Sequence, residues 1–133
     1  LAWEWSADPP SAARSGADST TGKCAANDLT IEHYVDRASP MLMLHCLKGN
    51  HIEKAVLVAR KAGSMPLEYL KITLDDALIT RINSVANVNM ARPREEVRLS
   101  FARIRQKYVV QNAQSRSGGT IAAEYDLKTG KAT

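Results

Sequence analysis

The feature that most constrains this chain is an apolar alternation with a period of two, repeated along most of its length. In "LTIEHYV", Leu29, Ile31, His33 and Val35 share one face, while Thr30, Glu32 and Tyr34 share the other. "EYLKITL" places Leu70, Ile72 and Leu74 together, and "TIAAEYDL" does the same for Ile121, Ala123, Tyr125 and Leu127. Side chains alternate across a strand, so each segment is a strand with one buried side. "AVLVARKA" is β-branched and ends at Gly63; "DALITRINSV" continues after a bend at Asp75-Asp76. "VRLSFARIRQKYVV" changes parity: Val97, Leu99 and Phe101 share one face, Ile104, Tyr108 and Val110 the other. A one-residue shift of this kind predicts a β-bulge.

One segment breaks the pattern. After "DRASP", the run Met41 to Leu47 is apolar except for His45. Asp36 and Ser39 offer capping oxygens, and Pro40 suits a first helical position. Lys48 complements the C-terminal dipole and Gly49 supplies a left-handed stop, which predicts a short helix ending near Lys48. The fold class that follows is mainly β (α+β), a two-sheet β-barrel with one flanking α-helix. At 133 residues the chain is one domain, 1–133.

"LAWEW" reads as the tail of a strand that begins abruptly, so its preceding half is expected to be missing. Residues 6–26 form an extended loop, rich in Ser, Ala, Gly and Pro, without periodicity. Loops of this length inside a compact domain are usually functional or disordered. Gly118-Gly119 reads as a turn, without phosphate-cradle spacing.

Chemistry finds little support. His45, Cys46 and His51 are the nearest approach to a metal cluster, but neighbours on a helix point about 100° apart, and zinc requires converging ligands. Packing is the better reading for Cys46, and neither metal nor cofactor is expected. His33, on a buried strand face, reads as a hydrogen-bonded core histidine. No serine sits in a nucleophile elbow, and a small hydrolase ranks last. Two cysteines, Cys24 and Cys46, make no disulfide framework, which favours folding in a reducing compartment. No apolar run approaches a membrane span.

The net charge of +4 is concentrated in Arg92, Arg94, Arg98, Arg103, Arg105 and Lys107. Arg103, Arg105 and Lys107 share one strand face. A basic β-barrel that binds nucleic acid is therefore the alternative function, weakened by the shortage of aromatic residues for base stacking. A solvated face, or a charged contact with another subunit, fits better.

The ordered series "LAWEW", "GKCAANDLTIEHYVDRASPMLM", "HIEKAVLVARKAG", "EYLKITLDDALI", "EEVRLSFARIRQKYVVQN" and "AEYDLKTGK" resembles the haemolysin-coregulated protein (Hcp) family, the tube subunit of type VI secretion systems. The most telling pieces are Asp36-Arg37-Ala38-Ser39-Pro40, the Leu99-x-Phe101-x-x-Ile104-x-x-x-Tyr108-x-x-Gln111 strand, and Tyr125-Asp126-Leu127-Lys128. The sequence departs from the family at Thr80 to Pro93 and in the loop before Gly22, and the resemblance implies an upstream first strand, ahead of Leu1, that this chain lacks. The resemblance implies a non-enzymatic structural protein that forms homohexameric rings stacked into a hollow tube. Its partners would be itself, a contractile sheath, a spike and small effector proteins in the lumen, with no membrane or nucleic acid. Assembly would be cytoplasmic, followed by secretion. A helix apolar nearly all round then suits a subunit interface through Met41, Leu44, His45 and Leu47, with Arg103, Arg105 and Lys107 as charged members. Arg14, Asp18 and Lys23 become candidates for ring-to-ring contact, since a loop can order on binding.

Overall fold

A computed structural model describes residues 1–9, 24–63, 67–111 and 117–133. Its strands are β1 (Ala2–Glu4), β2 (Ala7–Asp8), β3 (Ala25–Ala26), β4 (Leu29–Tyr34), β5 (His51–Arg60), β6 (Glu68–Val85), β7 (Arg94–Ser100), β8 (Arg103–Gln111) and β9 (Ser117–Asp126). One helix, α1 (Ser39–Lys48), follows β4. The mainly β class with a flanking helix is as expected. The larger sheet is seven-stranded, ordered β1-β4-β7-β6-β8-β9 with β5 paired to β6, and the smaller is the β2-β3 pair.

The sheet curls because of β6, 18 residues long. Its first half pairs with β8 and its second half with β7, both antiparallel and on the same edge. Within β6, Ile72 and Leu74 are buried before Asp75-Asp76, whereas Ala77 and Ile79 are buried after it. The inward parity therefore flips at Asp76, whose φ of 52° is left-handed. Asp tolerates that region better than most residues because its short side chain can bond locally. The bend expected from the sequence lies here. A second irregularity, between Ile79 and Arg81, returns Ile82 toward the core.

The parity change expected as a bulge lies beside that corner, but the structure differs in kind. The ladder breaks at Phe101-Ala102, leaving β7 and β8 as separate strands. The Ala102 N–H donates to the Asp75 carbonyl (3.0 Å) and the Leu127 N–H to that of Ala102 (2.8 Å). Leu29, Val97, Leu99 and Phe101 complete the buried core with the β6 residues. Burying such side chains is worth roughly 1.5–3 kcal/mol each.

Two further expectations are modified. The 6–26 loop is pinned at its base by a two-stranded ribbon, Ala7 opposite Ala26 and Asp8 opposite Ala25. The Asn27 amide side chain donates to Ser6 Oγ at 2.7 Å there. Gly118 and Gly119 lie within β9, not in a turn. After Asp126 the chain turns at Gly130 (φ 72°) and runs back along β9, with Glu124 and Thr133 exchanging both backbone hydrogen bonds.

Candidate functional site

Helix α1 is anchored along one side. Leu42 and Cys46, one turn apart, pack against the core. The other sides stay open: Met41 is 56% exposed, Met43 52%, Leu44 38% and Leu47 76%. Four large apolar side chains on ten residues form a contiguous uncovered patch, the usual mark of an interaction site. His45 is half-buried, and its Nδ1 is the one buried side-chain polar atom among the described residues without a hydrogen-bond partner.

The helix start differs from the sequence reading. Ala38 occupies the cap position and no side chain caps the helix. Asp36 Oδ1 instead accepts the Ala38 N–H (2.9 Å). Ser39 Oγ accepts the Asp36 N–H (3.0 Å) and donates to Glu95 Oε1 at 2.9 Å. Glu95 is only 4% exposed, and the same oxygen lies 2.8 Å from His33 Nε2. His33 Nδ1 lies 3.6 Å from Asp36 Oδ2. A buried carboxylate needs such partners. The sequence reading foresaw a hydrogen-bonded His33. It did not find Glu95, which occupies an inward position of β7 that the pattern Glu95, Val97, Leu99 marks out. This cluster ties β4, β7 and the helix start together and fixes how the helix presents its open side.

The basic set divides. Arg103 is drawn among three carboxylates: Glu124 at 3.3 Å, Asp126 at 3.4 Å and Asp75 at 4.0 Å. Asp126 Oδ1 also accepts the backbone N–H groups of Lys128 (2.8 Å) and Thr129 (3.1 Å). Those backbone bonds, led by Thr129, hold its carboxyl below the ordinary carboxylate range, with Arg103 adding to them. Asp76 is likewise lowered, first by its hydrogen bond to His51 and then by Lys128. Arg105 and Lys107 point outward from β8 and have no ion-pair partner among the described residues. The structure therefore does not bring the helix residues and the basic residues together on one face. Arg14, Asp18 and Lys23 lie outside the described residues.

His45, Cys46 and His51 do not converge: His51 Nδ1 bonds Asp76 Oδ1 at 2.8 Å. Among the described residues no three His, Cys, Asp or Glu side chains are placed to hold a metal ion, and no helix is long and apolar enough to cross a membrane. An open groove of about 330 Å³ lies on the inner side of β8 and β9, lined by Trp5, Ile104, Tyr108, Ile121 and Ala123 among others. Its lining carries no paired acid and base.

Comparison with known proteins is consistent with this geometry. The chain is 32% identical over 108 residues to Protein hcp1 of Pseudomonas aeruginosa, covering 80% of this chain and 67% of that protein. It is similar to the crystal structure of Hcp1 from Salmonella typhimurium, with a TM-score of 0.78 and 38% identity over 100% of this chain and 82% of that one. It is also similar to the structure of a type VI secretion system effector from Yersinia pestis, with a TM-score of 0.73 and 38% identity over 96% and 81% of the two chains. The family model described as "Type VI secretion system effector, Hcp" matches residues 1–108. A curled β-sheet with one helix, matched in sequence and in structure over most of its length, places this chain in the Hcp family of type VI secretion proteins.

Proposed function

We propose that this chain is a non-enzymatic tube subunit that assembles into homohexameric rings, which stack into a hollow tube. The tube works with a contractile sheath and a spike, and carries small effector proteins in its lumen. It assembles in the cytoplasm and is then secreted. The observation that carries this reading is the open apolar side of α1, where Met41, Met43, Leu44 and Leu47 remain exposed on a single copy. Covering them with a neighbouring subunit stabilises the assembly through removal of apolar surface from water.

In this reading Met41, Leu44 and Leu47 enter the neighbouring subunit, and His45 Nδ1 finds a partner there. The 6–26 loop makes the ring-to-ring contact through Arg14, Asp18 and Lys23. Negative-stain electron microscopy tests the reading: rings with a central pore are expected, and their loss in a Met41→Asp, Leu47→Asp variant that stays folded. Rings that persist in that variant would remove the helix from the interface.

A further inference from the structure

The outward face of β5, β6 and β8 carries Arg105 and Lys107, set apart from the open side of α1, together with a third cation, Lys71. Lys71 and Lys107 are direct cross-strand partners. Both point away from the core, since Ile72, next to Lys71, and Ile104, on the opposite parity from Lys107, pack inward. Arg105 lies two residues from Lys107 on the same face, opposite Thr73. Like charges directly opposite one another destabilise a sheet, so this chain retains a local cost.

Nothing within the described chain offsets it. Across β9, Lys107 faces Ala122 and Arg105 faces Glu124. Glu124 is already engaged by Arg103 at 3.3 Å. Elsewhere the sheets neutralise their cations locally: Arg94 with Glu32 at 2.9 Å, Arg98 with Glu96 at 3.0 Å, Arg60 with Glu68 at 2.8 Å. The Lys71, Arg105 and Lys107 group has no such counter-charge among the described residues, whereas in the other cross-strand cation pair, Arg81 opposite Arg98, Arg98 is tied to Glu96.

We propose that this face docks a carboxylate-rich surface of another protein, with Lys71, Arg105 and Lys107 as its cationic centre. Two observations favour an acidic protein over a nucleic acid. On β5 the face continues into Val56, 47% exposed, and Val58, opposite Thr73 and Lys71. Cations beside apolar β-branched side chains suit a protein surface. At one end Asp75, Glu124 and Asp126 gather around Arg103, and a long polyanion running off the patch would meet them. The inference stands on a single copy and does not require the ring.

The test is fluorescence anisotropy of a fluorescein-labelled hexaglutamate peptide titrated with the whole chain at low salt, with a dodecathymidylate probe alongside. Binding of hexaglutamate that weakens with salt is expected. Lys71→Glu, Lys107→Glu together should weaken it about tenfold or more, and Arg81→Glu, elsewhere on β6, should not. Lys71→Gln should weaken binding while raising the melting temperature of the free chain, because it relieves the like-charge pair. A purely structural role for Lys71 would not produce that opposition. Absence of hexaglutamate binding, or equal binding by the double variant, would overturn the proposal. Tighter binding of dodecathymidylate with the same losses would replace it with nucleic acid. A change in the molar mass of the double variant without peptide binding would reassign the face to contact between copies, and would also overturn it.

Discussion

Asp75 and Arg103 face one another across β6 and β8, where the two strands turn over their inward sides. Ile72 and Leu74 are buried on one side of Asp75, and Ala77 and Ile79 beyond it; Phe101 precedes Arg103 on the opposite parity from Ile104. Arg103 holds Asp75, Glu124 and Asp126 at that corner. Removing it leaves three carboxylates together. Arg103→Ala should therefore lower the melting temperature at neutral pH, and the deficit should shrink at high salt or when the carboxylates are protonated. A deficit unchanged by both would mean that Arg103 acts through packing alone.

Asp76 turns the corner with a left-handed backbone. Its side chain also bonds His51 and Lys128. Asp76→Gly relieves the backbone but loses both partners, Asp76→Asn keeps a tolerant backbone and an acceptor, and Asp76→Ala loses on both counts. Thermal melts should rank Asn above Ala, with Ala lowest of the three. Ala equal to Asn would show that the positive φ costs nothing here.

The Ser39, Glu95 and His33 cluster makes a prediction about coupling. Ser39→Ala leaves the buried Glu95 with one fewer donor and should cost about 1–3 kcal/mol. His33→Leu alone should cost more, on the order of 3 kcal/mol, because it strands a buried charge. The double variant His33→Leu, Glu95→Leu should be less destabilised than His33→Leu alone. Urea denaturation of the parent chain, His33→Leu, Glu95→Leu and the double variant measures the coupling; additive losses would contradict a working pair.

Acid should loosen the C-terminal turn. A carboxylate held below its ordinary range stabilises the fold above that range, and this contribution disappears as pH falls through its depressed value. Asp126 and Asp76 are both lowered, so their contributions are complete above the usual Asp value of about 3.9 and are lost below it. Asp126→Asn keeps an acceptor for the Lys128 and Thr129 N–H groups but cannot titrate. Its melting temperature should fall less steeply than that of the parent chain between about pH 5 and pH 2, a window set by that reference value. Parallel curves would contradict the assignment.

Much of this fold is legible in the sequence because alternation reports burial directly. Leu29, Ile72, Leu74, Val97, Leu99 and Phe101 all stand on the faces their spacing assigns. The helix end was readable at Gly49, which is left-handed as its position requires. The helix start was not. Ser39 has the chemistry of a cap, but Glu95, 56 residues away, takes its hydroxyl, and local spacing carries no trace of that contact. The corner was half legible. The spacing showed a bend at Asp75-Asp76 and a change of parity after Phe101, while their meeting at Asp75 and Arg103 depends on register between strands far apart in the chain. Lys71 escaped notice for the same reason, since its apposition to Lys107 exists only across the β6–β8 ladder.

The measurement that tests the central claim most directly is the molar mass of the chain in solution, by light scattering after size exclusion, beside a Met41→Asp, Leu47→Asp variant. Both side chains are exposed on the single copy, so the variant should keep its melting temperature as a monomer. The account predicts a mass near six times the 14.6 kDa protomer for the parent chain, and a single protomer for the variant. A parent chain that remains monomeric at high concentration, or a variant that assembles as well as its parent, would contradict it.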